Sequence, residues 1–582
     1  MSSHLSGGRL NVAALHDYAR KELIDMFDGG AKTIVWDEGL IGPVSLIAPY
    51  NLLKEHEVNQ MFSLSEGSIS SAASRKIIFL TRALPKMMDS IAEHVHSEEQ
   101  KNHRREYQII FVPRKTTLCE TRLKNRGVYG NVKGAIHEWA CDFFPLENDV
   151  ISMEQPLAFK ELLIDEDPTC IYSAAQGLST LQDVFGPIGK VSCQGKAAKH
   201  VFDLLKRIKL EKGAPEKMTG IDHLVILDRS IDLLSPVATQ LTYEGLIDEL
   251  IGINHTKITL PSEKFNNGED PGKKTIILNS SEDLFSDIRD KNFSAVGDAL
   301  RKRAKTIAAE YEARHGQTMQ QMRQFVARLP QMNLIKQSLA VHTTIAEMIK
   351  EITDSFPFMD SLLVEQEFMN GIDTDKIHPF IEDQIGQQVD IIKVLRLICI
   401  QSITNSGLKQ KVLDYYKKEI IHVYGFEHIL SLTHLEKAGL IRVQQSARPF
   451  TVLRKTLRLV VQDGSESNPT DMSYVHSVYA PLTTRLVQHL IYKPGGWRAI
   501  QDVLNSLPGP TVMEEPFCDI QTLDSSKVVV VFFVGGCTMA EISALRFLVQ
   551  QEEAPVELVV ATTAIINGNN FTRNLMEVLN QK

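Results

Sequence analysis

The run Lys527 to Val534, KVVVVFFV, is apolar at every position after the first. It is far shorter than the ~20 residues needed to span a bilayer, and its β-branched and aromatic content predicts a strand buried on both faces of a sheet. Such a strand needs neighbours of the same character. VELVVAT (556 to 562) supplies one after a helix-like stretch, whereas HLVILD (223 to 228) lies in the first half of the chain. The sheet is therefore expected to be discontinuous, with a long segment inserted between its strands and the C-terminal part closing it.

The segments around this sheet predict the other parts of the fold. In the first 130 residues, TIVW (33 to 36), KIIFL (76 to 80) and YQIIFV (107 to 112) are each followed by helix-like sequence, the rhythm of βαβ units and a parallel sheet. From about Gln240 to Ser506 apolar positions recur three and four apart, which predicts an inserted, mainly helical domain. Turn-forming residues mark loops at 261 to 274, 462 to 469 and 506 to 519. A chain of 582 residues exceeds the roughly 250 to 300 at which one core stops growing. The expected fold class is α/β plus α: α/β domain 1 over 1–134, α/β domain 2 over 135–240 and 481–582, and helical parts over 241–355 and 356–480.

Composition excludes few functions. Hydrophobic residues make up 43% and charged residues 23% of the chain, values of a packed globular protein, and the net charge of −9 argues against a general nucleic-acid binder. Seven cysteines without a CxxC pair read as reduced intracellular thiols. The N-terminal residues show no basic start leading into an apolar run, so a cytoplasmic protein with peripheral membrane association is expected.

Parallel α/β sheets often carry enzymes, but the motifs fail here. In GKVSCQGKAAK (189 to 199), Gly189 and Gly195 are one residue too far apart for a phosphate loop, and Ala197 stands where Ser or Thr would hold magnesium. Gly535 and Gly536 precede a helix at Thr538 and could face an anion, though close strand-to-helix packing is the simpler reading. His137-Glu138 lacks a second imidazole one helical turn on, and no GxSxG elbow occurs. No catalytic residue, metal or cofactor is expected. Asp228, Arg229 and Asp232 stand at a strand end, where an arginine between two carboxylates satisfies buried charge more readily than it performs acid–base work.

One long hairpin stands out. Phe293, Val296, Leu300, Ala304, Ile307 and Tyr311 form a narrow apolar stripe, and a turn at Arg314-His315-Gly316 leads into a returning helix that Pro330 should kink or break. From Arg289 to Lys336 ten Lys and Arg stand against four Asp and Glu, an electropositive island suited either to solvent or to an acidic amphipathic helix.

Leu227 to Ile253, LDRSIDLLSPVATQLTYEGLIDELIGI, resembles the SM family of syntaxin-binding proteins. The resemblance extends through IVWDEGLIGPVSLIA, LPQM, EQEFMNGIDTDKI, NSGLKQKVLDYYKKEI, YAPLTTRL and VVFFVGGCTMAEISALRF, and is densest for the A-type of the vacuolar protein sorting thirty-three branch. It implies an arch of three domains and a non-enzymatic protein that binds Q-SNARE and R-SNARE helices along a cleft and the hairpin. Pro330 carries over as the hairpin proline, with Arg301, Lys302, Lys305 and Arg323 as candidate SNARE contacts. It also implies a place in the HOPS and CORVET tethers, held by a class C partner subunit through Lys417, Phe426 and Ile429, at late endosomes, autophagosomes and lysosomes. The alternative is a structural tether subunit without SNARE affinity of its own.

Overall fold

A computed structural model describes residues 10–577 apart from 28, 66–71, 73, 133–134, 213–219, 266–271, 313–318, 372–376, 445–448, 463–464, 515–526 and 552–555; for 319–325 it describes the backbone alone. The expected turn at Arg314-His315-Gly316 and the Arg323 side chain lie outside the described residues.

Five parallel strands form the first sheet: β1 (Lys32–Trp36), β2 (Val58–Ser63), β3 (Lys76–Thr81), β4 (Glu106–Phe111) and β5 (Ile136–Glu138), in the order β2-β1-β3-β4-β5. β5 lies past the boundary expected at residue 134. It pairs with β4 and thus belongs to the first sheet, because a parallel edge strand completes the ladder of the strand before it.

The second sheet comprises β6 (Phe144–Glu147), β7 (Val150–Ser152), β8 (Ile188–Gln194) and β9 (Ile221–Asp228), then, beyond an insertion, three more strands. The insertion carries a small antiparallel hairpin, β10 (Lys257–Pro261) and β11 (Lys273–Ile277), which the mainly helical expectation passed over. Its helices include α1 (Phe293–Glu312), α2 (Met319–Thr353), α3 (Phe356–Asn370), α4 (Ile391–Thr404), α5 (Gln410–Tyr424), α6 (Ile429–Lys437) and α7 (Pro449–Thr456). The sheet then resumes with β12 (Thr511–Glu514) and β13 (Lys527–Val534), and after α8 (Met539–Gln551) with β14 (Val556–Thr562). Its order is β12-β8-β9-β13-β14-β7-β6, parallel from β8 to β7 and antiparallel at both edges. β12 occupies a segment expected to be a loop; two of its neighbours are prolines, but an edge strand tolerates turn residues at its ends.

β13 shows why its sequence is continuously apolar. Val529, Val531 and Phe533 join a core that extends into the inserted helices, while Val528, Val530, Phe532 and Val534 pack into a second core on the opposite face. Alternate side chains of a strand point to opposite faces, and here both faces are covered. None of the described helices is long and apolar enough to cross a membrane.

The strand ends meet around one buried cation. Arg229 is fully buried directly after β9 and pairs with Glu541 of α8 at 2.7 Å and with Asp232 at 3.5 Å. Burial alone would lower its pKa, but Glu541 and Asp232 raise it, so it stays charged. The expected trio is corrected here: Asp228 does not pair with Arg229 but accepts from the backbone N–H groups of Ala197 and Ser230, because its side chain turns toward the β8 end. There Gly195 (φ +107°) admits it, since a Cβ would stand 2.2 Å from that of Asp228. The anion at the Gly535-Gly536 turn is likewise the protein's own: Glu541 accepts from the Thr538 N–H at 3.0 Å.

The same cluster joins the two ends of the insertion. Asp232 accepts from the Ser235 and Tyr479 hydroxyls, and Glu541 accepts from the Thr483 hydroxyl. Arg229→Ala leaves these carboxylates buried without their counter-charge, which is expected to cost about 3–5 kcal/mol and to lower the thermal unfolding midpoint by several degrees. Calorimetry of the variant beside Arg301→Ala, whose exposed pair with Asp298 should leave the midpoint unmoved, checks this.

Candidate functional site

α1 and α2 form the two arms of the expected hairpin. Val296, Leu300 and Ile307 of α1 are buried, as the stripe predicts, and Tyr311 donates to Asn333 Oδ1 at 3.2 Å between the arms. The break expected at Pro330 is absent: α2 runs unbroken from Met319 to Thr353 with Pro330 inside it. Pro330 and Val326 are both exposed, so the carbonyl that loses its N–H partner to proline lies on a wet face, where water satisfies it.

A groove of about 760 Å³ runs between the lower arms and α3. Phe293, Leu300, Leu339, Phe358, Met359 and Leu363 contribute its apolar wall, with Arg301, Lys350, Glu347 and Asp354 among its polar residues. α3 is apolar on more than one side. Val364, Phe368 and Met369 face the core, while Phe356 (85% exposed), Met359 and Leu363 stand out at positions i, i+3 and i+7 with no cover. A helix with that much uncovered apolar surface marks a contact surface for another protein. Sequence reading missed this face because its spacing is indistinguishable from a core stripe.

Of the basic hairpin residues, Arg301 is held by Asp298 at 2.7 Å, while Lys302 and Lys305 are exposed and meet no carboxylate among the described residues. The hairpin therefore keeps unneutralised positive charge beside an apolar channel.

A second surface gathers the residues named for partner binding. Phe426 (54% exposed) and Ile429 open consecutive turns after Gly425 and project into solvent, with Tyr415 also exposed on α5. Lys417, a third exposed, pairs with Glu436 and so joins α5 to α6 beneath this surface. The nearer tyrosine, Tyr416, is buried and hydrogen-bonded to His378 and Gln401. Among the described residues no group of three or more His, Cys, Asp or Glu is placed to hold a metal ion.

α3 is fastened to the second sheet by buried charge. Glu365 accepts from the Thr239 N–H at 2.9 Å and its hydroxyl at 2.8 Å, while Arg396 pairs with Glu249 at 2.5 Å and donates to the Val237 carbonyl. Two carboxylates thus share one guanidinium. Burial pushes the Glu365 carboxyl up to about 7, against the opposing pull of Arg396 and Thr239.

A sequence profile of the Sec1 family matches residues 32–574. The vacuolar protein sorting-associated protein 33A of Rattus norvegicus is 49% identical over 597 residues, covering 99% of this chain and all of its own. Among solved structures, the Unc18–syntaxin 1 complex from Monosiga brevicollis superposes with a TM-score of 0.64 at 16% identity, covering 96% of this chain and 99% of that one. The SM protein Vps45 in complex with the Qa SNARE Tlg2 gives 0.62 at 14% identity, covering 97% and 98%.

The elevated Glu365 carboxyl has a consequence for stability. Its folded form keeps a proton that the unfolded chain releases near pH 4.5, so this group stabilises the fold below that pH and its contribution is lost as pH rises toward about 7. Glu365→Gln should remove a pH-dependent contribution on the order of 3 kcal/mol. Denaturant unfolding at pH 5 and pH 8 measures it: the stability difference between the two should be smaller in the variant than in the parent.

Proposed function

This chain belongs to the Sec1 family, and from that premise we propose that it binds SNARE helices and promotes their assembly during membrane fusion in the endolysosomal system, with no bond made or broken. The observation that carries this reading is the open groove along α1, α2 and α3, apolar within and lined in part by Arg301 and Lys350, with Lys302 and Lys305 exposed on the same helix α1 and meeting no carboxylate among the described residues. A SNARE helix presents a matching apolar stripe on an acidic or mixed background. Such helices are disordered alone, so a preformed groove that lowers their ordering cost accelerates their pairing. In the solved structures of similar fold, syntaxin 1 is bound to Unc18 and Tlg2 to Vps45, which supports SNARE helices as the occupant.

In this reading the hairpin, with Arg301, Lys302, Lys305, Arg323 and Pro330, serves a Q-SNARE and an R-SNARE in register. The groove crosses the division expected at residue 355, since α3 contributes one wall. The Phe426 and Ile429 surface takes the class C partner subunit of the HOPS and CORVET tethers, braced by Lys417. That partner brings the chain to late endosomes and lysosomes, so membrane contact is indirect.

A purely structural subunit would need only the second surface, and two experiments separate the readings. In pull-downs with SNARE-motif peptides, Lys302→Glu with Lys305→Glu should weaken capture about tenfold at low ionic strength, with the gap closing as salt screens the charges. Full capture by that variant, or no capture by the parent chain, removes the hairpin from the mechanism. Phe426→Asp should release the chain from class C subunits in co-purification while leaving SNARE capture intact.

A further inference from the structure

At the opposite end of α3 from the exposed phenylalanine lies a polar cavity of about 550 Å³, lined by Asn370, Arg454, Lys455, Arg458, Gln462 and Asp471 together with small and aliphatic residues. Its three cations fall within five positions of the chain, at and just after the last turn of α7. Arg454 and Arg458 are four apart, a spacing at which like charges repel on a helix. The chain reverses direction there instead: Arg458 takes a left-handed conformation (φ +51°), uncommon for a residue with a side chain.

That conformation is held from beneath. Arg485, almost wholly buried, donates through Nη2 to the Arg458 carbonyl at 2.9 Å and to both oxygens of Asp471 at 2.9 and 2.8 Å. Asp471, the one carboxylate among the described lining residues, is therefore already neutralised. Arg454 is fixed on its other side, donating from Nη1 to the Met369 carbonyl at 3.2 Å, while Gln462 donates to Asn370 Oδ1 at 3.1 Å across the wall. Among the described residues no carboxylate pairs with Arg454, Lys455 or Arg458. In a chain of net charge −9, three cations converge on an open cavity with their backbone locked and their charge unspent.

We propose that this cavity binds a small polyphosphate anion, a compact scaffold bearing two or more phosphate monoesters, of which an inositol phosphate is the type. Two guanidinium forks and one ammonium match phosphate oxygens in kind, and three cations exceed what a single phosphate uses. The described lining residues include no aromatic ring on which a nucleobase would stack, which favours a polyol over a nucleotide. The volume lies within the range of roughly 300–1,000 Å³ typical of small-molecule sites. The ligand has two sources, a free inositol phosphate or the headgroup of a phosphoinositide in a bilayer. The second would give the chain a direct membrane contact in addition to one made through a partner.

Titration calorimetry of the intact chain with inositol trisphosphate tests the site, alongside flotation with phosphatidylcholine vesicles with and without phosphatidylinositol bisphosphate. Lys455 and Arg458 are exposed, so Lys455→Glu with Arg458→Glu should keep the thermal midpoint while weakening trisphosphate binding by at least about tenfold. Lys302→Glu with Lys305→Glu, on the hairpin, should leave it unchanged. Flotation competed away by free trisphosphate identifies a lipid headgroup; trisphosphate binding without flotation identifies a soluble polyphosphate. Absence of trisphosphate binding, or equal binding by the Lys455/Arg458 variant, overturns the proposal. SNARE-peptide capture by that variant is read in parallel and should not change, so failure here is separable from failure of the groove.

Discussion

Arg229 and Glu541 face each other at 2.7 Å, both without solvent, at the place where the central strands of the second sheet end. A buried guanidinium is tolerable only if its counter-charges are all present. Those charges, and the hydroxyls that hold them, arrive from three separate stretches: Asp232 where the chain leaves the sheet, the neutral donors Tyr479 and Thr483 where it returns, and Glu541 on the helix that follows β13. Gly535 lets that helix approach, since a Cβ there would stand 2.8 Å from the Cβ of Arg229. The discontinuous sheet closes correctly only when the insertion's two ends are side by side.

Everything the chain presents outward is built on that closure. β13 packs one face against the inserted helices, so the position of α3 follows from the position of the sheet. Glu365 and Arg396 then fasten α3 and α4 to the segment after Val237, close to the insertion's exit. With its core side fixed in this way, the opposite side of α3 is free to stay apolar and uncovered. A wall set in advance leaves only the incoming helix to be ordered on binding, which is the condition for accelerating its assembly.

The sheets were legible because strands buried on both faces write themselves as unbroken apolar runs, as in Val528–Val534 and Leu224–Leu227. Short edge strands carry no such mark. β12 follows the stretch Pro508-Gly509-Pro510, and β5 is three residues long, so both are defined by the neighbour they pair with. Long-range partners were also hidden: Glu541 lies more than three hundred positions from Arg229, and nothing local to Asp228-Arg229-Ser230 distinguishes a carboxylate one or three residues away from one across the sheet. The pairing of Lys417 with Glu436 was hidden in the same way, since the two lie on different helices. Pro330 shows the opposite limit: it disfavours a helix locally, yet the helix Met319–Thr353 is continuous through it, with the residue whose carbonyl is freed exposed to water.

The charge distribution becomes informative once internal pairs are removed from it. Arg229, Arg289 and Arg396 are buried and Arg546 is half-buried, each against at least one carboxylate: Arg289 between Glu147 and Glu244, Arg546 against Asp149 and Asp290. These cations organise the interior and have no field left for a partner. Lys302 and Lys305 on the hairpin, and Lys455 and Arg458 at the cavity, have no such counterpart among the described residues. Charge that the fold does not consume is available for recognition, and it occurs here in two forms. On the hairpin it borders an apolar channel, the chemistry of an amphipathic helix; at the cavity it lines polar walls, the chemistry of phosphate. The two surfaces share α3 but differ in what they exclude: a phosphate has no use for the channel, and an apolar helix has none for the cavity.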